Sequence, residues 1–122
     1  MFRGTYFLLV ILLVFALAVQ ILLSIVSQSV TTDEPSHVSR GYYYVRTGSL
    51  VLNIAPPLMN ILSGLALCLV PNIQMPAYIP NPLDLRTRVT RFADEFFWES
   101  GNDADQMIFW ARVPVLIVSL IL

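Results

Sequence analysis

Tyr6–Val26 reads YFLLVILLVFALAVQILLSIV, with Gln20 and Ser24 as its only clearly polar interruptions. No charged residue occurs between Gly4 and Thr32. A helix needs about 20 apolar residues to cross a hydrocarbon core, so residues 1–27 are expected to form a transmembrane helix. A cleaved secretory signal is the rival reading, because Ala16-Leu17-Ala18 has the small residues of a cleavage site. A signal's apolar region is about 7–15 residues long. This run continues through Ile21, Leu22, Leu23, Ile25 and Val26, which favours a retained span.

Composition agrees with that reading. The 122 residues are 57% hydrophobic and 12% charged, against about 25% charged in ordinary soluble domains. An independent soluble enzyme and a disordered regulator are therefore not expected. The net charge of -1 offers no basic footprint for nucleic acid. All seven basic residues are arginines. Cys68 and His37 are single representatives of their types, so neither an internal disulfide nor a cysteine–histidine metal set can form.

A second apolar run, Val113–Leu122, is about ten residues and too short to span by itself. Residues 111–122 are accordingly expected to be the truncated start of a second transmembrane helix, in an N-terminal piece of a larger membrane protein. Between the two lies a loop over 28–110 that holds all eight acidic residues. A loop of that length is seldom structureless, and three helices are expected in it, at about 33–47, 56–70 and 84–99.

In the first, Thr32 or Asp33 suits the N-cap, Pro35 the first turn and Gly48 the position just past the end. His37, Gly41 and Tyr44 then share a face. In the second, prolines bracket a segment with Asn60, Ser63, Gly64 and Cys68 on one stripe and leucine and isoleucine elsewhere. Its length suits a helix lying at the membrane interface. In the third, Leu85, Val89, Phe92 and Phe96 recur at helical spacing. Ser100-Gly101-Asn102-Asp103 is expected to break that helix and cap the next. Trp98 and Trp110 suit a headgroup-level aromatic belt.

The residues that carry chemistry follow the first span closely. A carboxylate pair such as Asp33-Glu34 can serve as general base, hold a divalent cation or cap a helix. Around it stands an ordered series: Asp33-Glu34, His37, Gly41-Tyr-Tyr-Tyr44, Thr47-Gly48, Leu52-Asn53, Pro56-Pro57-Leu58 and Ala111-Arg112. In order and spacing this series resembles the protein O-mannosyltransferase-like, phospholipid-carrier-dependent glycosyltransferases of the GT-C fold. The sequence departs from that pattern where Ile54-Ala55 precedes Pro-Pro-Leu, in place of an acidic residue and a histidine or lysine. It departs again where Ser49 follows Thr47-Gly48 in place of aspartate.

The resemblance implies an all-α membrane protein, the N-terminal part of a GT-C fold with interfacial helices in its first extracytoplasmic loop. It implies transfer of a sugar from a polyprenyl-phosphate donor to an acceptor, protein or glycolipid, on the non-cytoplasmic face. Asp33 is then the catalytic base and Glu34 supports or orients it. His37, Arg40, Tyr44, Arg46, Asn53, Pro56 and Pro57 fall at substrate-binding positions. No cofactor is fixed by these motifs, and a divalent metal is compatible with the acidic pair. The N-terminus is expected inside, as Arg3 before the span favours, and the loop outside. A competing expectation is a small non-enzymatic membrane protein with an external interaction loop, which requires no such ordered series.

Overall fold

The computed structural model describes residues 2–52, 57–77 and 85–121. The described residues hold five α-helices and no strand. Helix α1, Phe2–Ser27, is the apolar run itself; α2 is Glu34–Thr47, α3 Pro57–Leu67, α4 Leu85–Asp94 and α5 Ala104–Ile121. Two of them, Gly4–Ser27 within α1 and the whole of α5, are long and apolar enough to cross a membrane. The second apolar run does not begin at 111. It continues a helix already started at Ala104, and the upstream turns bring it to 18 residues.

The ends of these helices follow their local sequence. Pro35 occupies the first turn of α2, where its missing N–H costs nothing. Gly48 closes the helix at φ 68°, and its N–H donates to the Tyr44 carbonyl at 2.7 Å. That left-handed conformation is open to glycine without a side-chain penalty. Asp103 caps α5: its Oδ1 accepts the Gln106 N–H at 3.0 Å. Asp33 sits at the N-cap of α2, yet its carboxylate makes no capping hydrogen bond. Glu34, one residue later, braces the approach to the helix by accepting the Thr31 N–H on Oε2 at 2.9 Å.

The apolar face of α4 packs as its spacing predicts: Val89, Phe92 and Phe96 are buried. Beyond Asp94 the winding loosens into a π-helical turn, Glu95–Glu99, closed by the Ser100 N–H on the Glu95 carbonyl at 2.8 Å. The wider turn lets the neighbours Phe96 and Phe97 both enter the core. Tyr42 of α2 stacks on Phe96 with centroids 5.3 Å apart, and Tyr43 meets Phe92 edge-on at the same separation. Aromatic pairs in these geometries add about 0.5–1.5 kcal/mol each beyond burial. The Asn102 amide fastens the linker to this turn. It donates to the Phe96 and Gln74 carbonyls and accepts the Gln74 N–H.

α2 packs most extensively on α3, and the contact is made by small residues. A Cβ on Gly41 would run into the Asn60 carbonyl, and one on Gly64 into the Gly41 backbone. The face of α3 that carries Asn60, Ser63 and Gly64 is the buried one, while Leu58, Met59, Leu65 and Leu69 are exposed. That arrangement inverts a water-soluble helix. It suits a helix whose surroundings are apolar, where small residues allow backbones to approach and polar groups bond across helices. Ser63 donates its hydroxyl to the Ala111 carbonyl at 2.9 Å. That carbonyl lies one residue beyond the Trp110 carbonyl, which Pro114 leaves without its helical donor.

Candidate functional site

The loop after α1 turns through Thr31 and Thr32 into α2, and this turn sets the acidic pair. The two carboxylates have different fates. Glu34 is half-buried and holds Arg112 of α5 with both oxygens: Arg112 Nε donates to Oε1 and Nη2 to Oε2, each at 2.7 Å. The same guanidinium donates to the carbonyls of Ile25, Gln28 and Ser29 at 2.9–3.1 Å. Those carbonyls belong to the end of α1 and the residues just after it, where a helix leaves acceptors unsatisfied and favours a cation. One arginine therefore ties three elements together, and its five N–H groups match five bonds. The Arg112 hydrogen bonds hold the Glu34 carboxyl below the usual carboxylate range. Burial opposes the shift, and the Thr31 N–H adds to it.

Asp33 is exposed and stands in the field of Arg40. Arg40, expected at a substrate-binding position, is largely buried at 8% exposure. Its Nε donates to the Ser36 carbonyl at 2.6 Å, one turn back in its own helix. Burial lowers its affinity for a proton, and Asp33 works against that. Arg46 is exposed in the last turn of α2, where it favours the helix dipole. Tyr44 is half-buried. Burial raises the Tyr42 phenol above its ordinary range, with Arg46 opposing. Asn53 and Pro56 lie outside the described residues, and Pro57 opens α3.

The remaining predicted residue, His37, points to a site the sequence pattern alone does not reveal. Its Nδ1 lies 3.1 Å from Oδ1 of Asn60, across the α2–α3 contact. Both residues line a cavity of about 400 Å³ between α2, α3 and α5, together with Glu34, Ser63, Arg112 and the apolar Met59, Ala111 and Val115. Asn60, Ser63 and Arg112 were not among the expected site residues. Asn60 and Ser63 lie on the polar stripe of α3, which sequence reading assigned to a face but not to a site. Arg112 belonged to a motif whose partner lies 78 residues away. Among the described residues, no group of three or more histidine, cysteine or acidic side chains is placed to hold a metal ion.

In comparisons with protein-family models, curated proteins and solved structures, nothing matches the chain.

Proposed function

We propose that the chain supplies the acidic first loop of an integral-membrane glycosyltransferase that uses a polyprenyl-phosphate sugar donor. The support is the ordered motif series after the first span and, above all, the division of labour within the acidic pair. Glu34 accepts the Arg112 fork and the Thr31 N–H, and so serves to hold the turn. Asp33 keeps an exposed carboxylate with no capping bond, as a proton acceptor requires.

In this reading an acceptor hydroxyl oxygen attacks the anomeric carbon of the donor sugar. The bond from that carbon to the phosphate oxygen breaks, and its electron pair leaves on the lipid phosphate. The hydroxyl proton passes to Asp33 as the new bond forms. Glu34 and Arg112 hold the turn that carries Asp33 against the end of α1.

The test is sugar transfer by the full-length protein in membranes carrying a polyprenyl-phosphate sugar. Asp33→Asn is expected to abolish transfer while the protein still inserts. Wild-type turnover by that variant overturns the assignment. Protease protection reads the topology independently, and a cytoplasmic Asp94 contradicts an external loop.

A further inference from the structure

We propose that the cavity between α2, α3 and α5 is a binding site for an uncharged amphiphile with a dihydroxy headgroup, and that His37 Nε2 and Ser63 Oγ each accept one of its hydroxyl protons. The hydrogen-bonding positions that the cavity leaves open point to this ligand. The two charges in its wall, Glu34 and Arg112, are committed to each other, to Thr31 and to the end of α1. Arg112 thus has no N–H left for an anionic headgroup, and Glu34 has no oxygen directed to a cationic one. Ser63 spends its proton on the Ala111 carbonyl, so its oxygen is left as an acceptor.

His37 is fixed by the same logic. An amide oxygen cannot donate, so Nδ1 of the neutral ring carries the proton that reaches Asn60 Oδ1. Nε2 then presents a lone pair, and no group among the described residues bonds to it. Both of these positions are acceptors, so a ligand that uses them must donate. The apolar part of the ligand is set by Val38, Met59, Ala111 and Val115. Met59 and Val115, at 40% and 43% exposure, form an apolar rim through which a chain can leave. The volume, about 400 Å³, falls at the lower end of the range for small-molecule sites and takes a headgroup with the first part of its chain. This site is separate from Asp33, which does not line the cavity, and the proposal stands apart from the glycosyltransferase reading.

His37 is the only histidine, so its ring nitrogens give an unambiguous nuclear magnetic resonance signal. The chain is placed in phosphatidylcholine nanodiscs and titrated with 1,2-dodecanediol, the dimethyl ether of that diol and dodecyl phosphate. The expected result is a ring protonated at Nδ1, with the Nε2 resonance shifting saturably on addition of the diol alone. Ser63→Ala is expected to weaken binding of the diol roughly tenfold, the effect of losing one good hydrogen bond. Val115→Trp fills the cavity without touching a polar group and is expected to abolish the response while leaving the tautomer unchanged. Equal responses to diol and ether would reduce the effect to partitioning and overturn the proposal. So would tighter binding of the phosphate, or a ring protonated at Nε2. The wild-type titration alone decides the matter if a variant fails to fold.

Discussion

In α1 the apolar side chains point in every direction and almost all are exposed; in the α2–α3 pair the contact is made by glycine, serine and asparagine, with leucines turned outward. The first helix is specified by what surrounds it, the second and third by what they touch. Among the described residues α1 packs chiefly on α5, and three of the five bonds of Arg112 hold its end. At the α2–α3 contact, hydrophobic side chains such as Leu58 and Leu65 mark the outer surface and small and polar residues the inner one, as expected where packing and interhelical hydrogen bonds replace the hydrophobic drive between helices. Around α4 the interior is apolar and aromatic instead.

The largest effect should come from breaking the close contact. Gly41→Val places branched carbons where the Asn60 backbone lies and is expected to cost about 3 kcal/mol. It should also part His37 from Asn60. A detergent unfolding titration measures the first effect, and the His37 ring nitrogen signal the second. If Gly41→Val is as stable as the parent, the helices do not meet through this glycine.

Next comes the arginine that ties the two regions together. Lysine cannot reproduce a planar fork with five donors. Arg112→Lys is therefore expected to lose about 2–3 kcal/mol, as when hydrogen bonds to a charged group are broken. The loss should be accompanied by faster hydrogen exchange at the end of α1.

A smaller effect is carried by pH. The Glu34 pKa is lower in the folded chain, chiefly through Arg112. Its contribution is present in full above the ordinary carboxylate value of about 4.3. It is lost as pH falls through the lowered folded value. Unfolding midpoints measured from pH 6 downward should fall in that window, and Glu34→Gln should flatten that part of the profile.

The smallest effect is the control. Leu12 is 57% exposed and meets the same surroundings whether or not the helices pack, so Leu12→Ala should stay within about 0.5 kcal/mol. A loss as large as that of Gly41→Val would erase the contrast between the two regions.

Much of this architecture is legible in the sequence because it is set by near neighbours. The charge-free run, Pro35 in a first turn, Gly48 past a last turn, Asp103 before α5 and the spacing of Val89, Phe92 and Phe96 each act within a few residues. The stripe of Asn60, Ser63 and Gly64 is legible as a face, and the structure adds that it faces inward. What escapes local reading is pairing at a distance. Glu34 finds Arg112 78 residues on, and Asn102 finds Gln74 28 residues back. No periodicity encodes either partner. The N-cap shows the same limit at short range: Asp33 has the right chemistry for capping, but its carboxylate makes no capping bond. The candidate base and His37 were visible as residue types, whereas the cavity needs α5 folded back against α2 and α3.

The π-helical turn at Glu95–Glu99 acts as a slack link. An ordinary turn closes on the fourth residue back, whereas here the Ser100 N–H reaches the Glu95 carbonyl, five back. The turn therefore stores one residue more while the chain beyond it keeps its heading. That surplus residue is what lets the neighbours Phe96 and Phe97 both face inward. Deleting one residue there would restore ordinary winding and leave the Asn102 clasp and the Asp103 cap close to their partners, at the expense of one aromatic ring in the core.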